Sequence, residues 1–135
     1  MSTSIRKSAA AAACGVLLAV GGVTATATAA EAEARGEARA QACLDNPKSY
    51  TKAEGQRYSG VYTATSACAD INLKPNTNRY VAVCFKPSSG GDVCQSSYKL
   101  MTGGRWNVIA TNVADGTRFY FDFRSTARST GQWAA

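Results

Sequence analysis

Cys84 and Cys94 lie equally far from Ser89, at the middle of the loop Lys86-Pro-Ser-Ser-Gly-Gly91 that separates two runs of strand-forming residues. The first run, Arg79-Tyr-Val-Ala-Val-Cys-Phe85, is rich in β-branched and aromatic residues. The second, Asp92-Val-Cys-Gln-Ser-Ser-Tyr-Lys-Leu100, resumes beyond the glycines. A hairpin folded about Ser89 sets the two cysteines directly opposite each other, at a separation that a cross-strand disulfide spans. Farther on, Arg105 to Val113 and Thr117 to Arg124 flank Asp115-Gly116. Gly tolerates the positive φ that tight hairpin turns need, so this stretch reads as a second hairpin.

The two hairpins share a parity. Turning at Asp115-Gly116 pairs Ala110 with Phe121, Val108 with Phe123 and Asn112 with Phe119. A two-residue turn at Gly103-Gly104 pairs Met101 with Trp106. One sheet then faces inward with Val81, Val83, Phe85, Val93, Met101, Trp106, Val108, Ala110, Phe119, Phe121 and Phe123. Lys99 is the misfit on that side, and its ammonium must extend to solvent. Arg57 to Leu73 is the candidate cover for this face. The predicted fold is all-β, a small antiparallel β-sandwich or partly open barrel with two disulfides.

The N-terminal part of the chain carries an address. Arg6 and Lys7 precede a small or apolar run from Ala9 to Val23, then Thr24-Ala-Thr-Ala-Thr-Ala-Ala30 with Ala-x-Ala choices for a signal peptidase. Residues 1–30 therefore read as a secretory signal peptide, and the expected location is extracellular. No second apolar stretch has the length of a membrane span, so no stable membrane anchor is expected after cleavage. Glu31 to Ala42 holds only small, charged and amide side chains and reads as a disordered leader or propeptide. Residues 43–135 form the single expected β domain.

Cleavage would discard Cys14 and leave Cys43, Cys68, Cys84 and Cys94, an even number in an exported chain. Of the three connectivities, Cys43–Cys68 with Cys84–Cys94 is the predicted one. A structural zinc site is disfavoured because no close Cys-x-x-Cys pair occurs. A domain this small gains about 2–4 kcal/mol from each bridge.

Between Cys43 and Cys68, Asp45-Asn46-Pro47 marks a turn, Ser49 to Gln56 suggests a short helix, and Arg57 to Thr63 has strand residues broken by Gly60. Ala69, Ile71 and Leu73 alternate with Cys68, Asp70 and Asn72. Trp133 reads equally as a strap over the core edge or as a loose end.

The chain has no histidine. Histidine-activated nucleophiles, histidine-based ribonuclease chemistry and histidine-ligated zinc catalysis are thereby excluded. Carboxylates are few beyond Cys43: Asp45, Glu54, Asp70, Asp92, Asp115 and Asp122. No phosphate-cradling glycine motif appears. No catalytic residue, cofactor or metal is expected. Fifteen Lys and Arg stand against nine Asp and Glu; without Arg6 and Lys7 a surplus of four cations remains, too diffuse to imply nucleic acid.

The candidate binding surface is the outer face of the sheet. By the same parity it carries Tyr80, Tyr98, Asn107, Ile109, Thr111, Arg118, Tyr120, Asp122 and Arg124 beside the Cys84–Cys94 bridge. Tyrosines next to arginines, above all Tyr80, Tyr98, Arg118, Tyr120 and Arg124, suit recognition of an extracellular protein or a cell-wall glycan. A plain solvated strand face would use the same residue types.

Through Arg79-Tyr-Val-Ala-Val-Cys-Phe85, Cys94-Gln95 and Trp106 to Phe119, the chain resembles uncharacterised small secreted two-disulfide β proteins of actinobacteria. That resemblance implies export and a disulfide-bonded β fold, and supplies no activity. Through Gln56-Arg57-Tyr58-Ser59 ahead of Cys68 it is also similar to the α-amylase inhibitors of streptomycetes. Those read Trp-Arg-Tyr at the recognition turn, where this chain has Gln56 in place of Trp, and their second disulfide closes a longer loop. The similarity implies Arg57 and Tyr58 as an alternative inhibitory site against an extracellular hydrolase.

Overall fold

A computed structural model describes residues 28–135. Residues 1–27, most of the expected signal peptide, lie outside the described residues. The first element is helix α1, Ala29–Asp45. The Thr28 backbone N–H donates to the Glu31 carboxylate at 3.2 Å, satisfying one of the donors a helix start leaves open. The segment 31–42, read from the sequence as a disordered leader or propeptide, lies within this helix. Its alanines supply the propensity, and Cys43 anchors its end through the disulfide to Cys68.

Nine strands follow: β1 (Lys48–Lys52), β2 (Tyr62–Thr63), β3 (Ile71–Pro75), β4 (Arg79–Phe85), β5 (Val93–Cys94), β6 (Lys99–Met101), β7 (Asn107–Ala110), β8 (Arg118–Phe123) and β9 (Ser129–Ala134). They make two antiparallel sheets. One runs β1-β9-β3-β7; the other runs β2-β8-β4-β5, with β6 also on β4. The all-β, two-disulfide sandwich is as expected, and the barrel is not closed.

The hairpin about Ser89 is present, with Cys84 opposite Cys94 and Phe85 opposite Val93. Two extra residues then slip the register, so that β6 pairs Val81 with Lys99 and Tyr80 with Leu100. Gln95 holds the slip. Its backbone N–H donates to the Val83 carbonyl at 2.9 Å, its side-chain oxygen accepts from the Val83 N–H at 3.0 Å, and its amide donates to the Ile109 carbonyl at 2.9 Å.

The second expected hairpin does not form. β7 pairs with β3 in the opposite sheet, whereas β8 pairs with β4, placing Val81 opposite Phe123 and Val83 opposite Phe121. Asp115-Gly116 does turn, with Gly116 at φ 79°, but its N–H donates to the Ala64 carbonyl and the turn carries the chain from one sheet to the other. The physical reason is length and burial. Phe119, Phe121 and Phe123 alternate along six residues and need an equally long apolar neighbour, which the seven-residue β4 provides and the four-residue β7 does not.

The same crossing corrects the parity of β7. Ile109, assigned to the outer face, is fully buried, while Val108, assigned inward, is 51% exposed. Val93, also assigned inward, is exposed at the loop end of its hairpin. Met101 and Trp106 do not pair, because Gly103-Gly104 also leads from one sheet to the other. Lys99 does lie on the inward side of β6, and its ammonium reaches the Ile109 carbonyl at 3.2 Å.

The cover is broader than Arg57 to Leu73. Only β3 of that stretch joins the facing sheet, whereas β2 extends the phenylalanine sheet at its edge beside β8. Ser49 to Lys52, expected as helix, is strand, and Trp133 is a buried residue of the inner strand β9. Tyr50, Ile71, Leu73 and Trp133 close over the three phenylalanines, whose rings meet edge-on or tilted. Each fully buried phenylalanine stabilises the fold by about 1.5–3 kcal/mol relative to exposure. Asn72, on the other side of β3, is buried and donates to Cys43 Sγ at 3.6 Å, as its shared face with Cys68 implied.

Candidate functional site

Pairing of β4 with β8 lays out the outer face in rows, because directly opposed residues point to the same side. Tyr80 neighbours Arg124, Ala82 opposes Asp122, and Cys84 opposes Tyr120. Lys86 comes next to Arg118, joined by the Lys86 N–H to the Arg118 carbonyl at 2.8 Å. On the far side of β8, Tyr58 bridges to Asp122, and on the far side of β4, Leu100 opposes Tyr80.

The expected surface residues Tyr80, Tyr98, Arg118, Tyr120 and Arg124 thus fall on one face, and Arg57 and Tyr58 of the alternative inhibitory site fall on it with them. Two surfaces derived separately from the sequence are one patch. Asn107, Ile109 and Thr111 are not on it, because the chain has crossed to the opposite sheet before Asn107.

Its centre is a charged cluster. Arg57 pairs with Asp122 at 3.2 Å and also donates to the Tyr98 hydroxyl, which in turn donates to Asp122 Oδ2 at 2.8 Å. Tyr98 belongs to the loop between β5 and β6, so its ring crosses β4 to reach β8. Ala82, directly beneath that path, is only 2% exposed although it points outward. A second unit repeats the pattern: Tyr120 donates to Asp92 Oδ2 at 3.0 Å, and Lys86 pairs with Asp92 at 3.3 Å.

These surroundings push both phenols further from ionisation. The hydrogen bond to Asp122, more than burial, raises the Tyr98 hydroxyl above its ordinary range, while burial first and then Asp92 raise Tyr120. Both hydroxyls, protonated at neutral pH as any tyrosine is, donate to their carboxylates. The Asp122 charge raises Arg57 further.

Around the centre lie contact groups of another kind. Tyr58, 52% exposed, meets Tyr120 edge to face at 5.6 Å, and Arg57 lies over the Tyr58 ring. Arg124 stacks over Tyr80 at 4.2 Å, and exposed Leu100 adjoins that pair. The sequence reading missed Leu100 and Asp92, while Lys86 belongs to a loop, Lys86 to Gly91, that it offered as an alternative inhibitory contact. A two-residue slip preserves parity, so alternation with Tyr98 would have placed Leu100 on this face, whereas Asp92 reads in the sequence only as a loop residue.

Among the described residues, no three His, Cys, Asp or Glu side chains gather as a metal-binding set, and no helix is long and apolar enough to cross a membrane. The two disulfides suit an extracellular or otherwise oxidising environment. No protein-family model matches the chain, and comparison with curated proteins and with solved structures gives no match either.

Proposed function

We propose that this is a secreted, non-catalytic binding protein whose tyrosine-arginine face takes a cell-wall glycan. The observation that carries the reading is the composition of the face at its middle. Protein-binding surfaces concentrate apolar residues at the core and push charge to the rim. Here the middle is the hydrogen-bonded set Arg57, Tyr98 and Asp122, and the exposed rings lie around it. Fixed donors and acceptors flanked by aromatic faces match the alternating hydroxyls and C–H faces of sugar rings. The test is co-sedimentation with purified cell wall. Binding that vanishes in the Tyr58→Ala, Tyr80→Ala, Tyr120→Ala triple variant is expected, and unchanged binding contradicts the reading.

A second reading is inhibition of an extracellular hydrolase such as an α-amylase. It is favoured by the exposure of Arg57 and Tyr58 side by side on this face. Inhibition of secreted amylases at micromolar protein, lost in Arg57→Ala, would support it over glycan binding; no inhibition would set it aside.

A further inference from the structure

At one end of this face the loop after β4 and the start of β8 enclose a cleft of about 410 Å³, lined by Phe85, Lys86, Pro87, Ser88, Thr117 and Arg118. Its two cations sit at opposed positions on adjacent strands, where side chains stand about 5 Å apart at Cβ and like charges destabilise. Among the described residues only one carboxylate, Asp92, engages either of them, and it is already held by Lys86 and Tyr120. Among the described residues Arg118 has no side-chain partner, and the same is true of the Thr117 and Ser88 hydroxyls. The cleft therefore presents a guanidinium, an ammonium and two hydroxyls around one open space with a single compensating charge.

We propose that this cleft is a subsite for an oxyanion carried by the ligand, a carboxylate or a phosphate ester, and that the glycan is an acidic one. This rests on the glycan reading above and narrows its substrate class. A planar guanidinium accepts either oxyanion through paired N–H donors, and the incoming charge relieves the Lys86–Arg118 repulsion. The face as a whole agrees in sign: Arg57, Lys86, Arg118 and Arg124 outnumber Asp92 and Asp122. Arg118, Tyr120 and Asp122 on β8 and Arg124 just past its end follow one another at every second residue, so the row from cleft to Arg124 is about 20 Å long. That length matches an extended chain of several sugar units, with the anion at its end.

The test compares binding of the full protein to mannan, phosphomannan and polygalacturonate, using the wild type, Arg118→Gln and Arg105→Gln. Arg105→Gln removes an exposed charge away from this face and controls for net charge. Expected is an acidic-over-neutral preference, read as the ratio of the two affinities in each variant, of about tenfold that Arg118→Gln abolishes and Arg105→Gln leaves intact. The better of the two acidic polymers identifies the oxyanion. Equal losses in both variants, or mannan bound as tightly as the acidic polymers, would overturn the subsite and leave glycan binding standing. Failure of the wild type to bind any polysaccharide or cell wall would overturn both.

Discussion

The Tyr98 hydroxyl donates to Asp122 Oδ2 at 2.8 Å from the opposite side of an intervening strand. A loop residue thereby straps the sheet and roofs Ala82, so one hydrogen bond belongs both to the stability of the face and to its shape. Tyr98→Phe and Asp122→Asn should each lower stability, with a coupling of about 1 kcal/mol in a double-mutant cycle by urea denaturation. Additive losses would show that the strap carries no energy.

Lys52 is 1% exposed, and its ammonium donates to the Gln56 carbonyl at 2.7 Å and the Ala127 carbonyl at 2.5 Å, beneath the Phe123 ring at 5.3 Å. Lys52→Met keeps the length of the side chain and strips these acceptors of their donor. A loss of about 2–3 kcal/mol in unfolding free energy is expected, whereas an unchanged denaturation midpoint would mean the loops re-pair without it.

Gly131 lies between Tyr50 and Pro75 in the middle of its sheet. A Cβ there would stand 2.7 Å from Pro75 Cα and 2.9 Å from the Tyr50 ring, and would press on the Lys74 carbonyl. Gly131→Ala should cost about 1–3 kcal/mol, read as a lowered melting temperature. Gly91→Ala, in open space on the exposed loop, serves as the control.

Burial raises the hydroxyls of Tyr50 and Tyr62 above the ordinary phenol range. A raised folded value means that the stability they contribute is full below the unfolded value of about 10 and is lost as pH climbs through the folded one. Lys52 runs the other way. Burial lowers its ammonium, so the cost of keeping it charged is relieved as pH rises toward the unfolded value of about 10.4. Melting temperature should hold or rise slightly up to about pH 10 and fall beyond it. Tyr50→Phe should soften that fall; a flat profile to about pH 12 would contradict the assignment.

The legible parts of the fold were those written in local symmetry. Cys84 and Cys94 about Ser89 predict their own pairing, and the alternation of Val81 and Val83 with Tyr80, and of the three phenylalanines with Tyr120 and Asp122, predicts inner and outer sides wherever a strand is read alone. What failed was the choice of neighbour. Asp115-Gly116 has the chemistry of a hairpin turn, but a turn fixes only the direction of a few residues. Whether β7 or β4 lies beside β8 is decided by how much apolar surface each can cover, a property of the assembled core. The candidate face survived because most of its residues sit on β4 and β8, whose parities do not depend on which strand is adjacent. Its members Arg57 and Tyr58 came from a separate argument, and only β2 and its approach could bring them alongside.

The sheet β1-β9-β3-β7 contains no two strands adjacent in both sequence and space. Every one of its ladders closes a long loop, and β9, one of its two inner strands, follows all the others in the chain. Among the described strands the short-range ladders are on the opposite side, where β4 pairs with β5 and β6. The face that carries the tyrosines and arginines can therefore begin to assemble early, while the sheet that seals the core waits for the final strand to arrive.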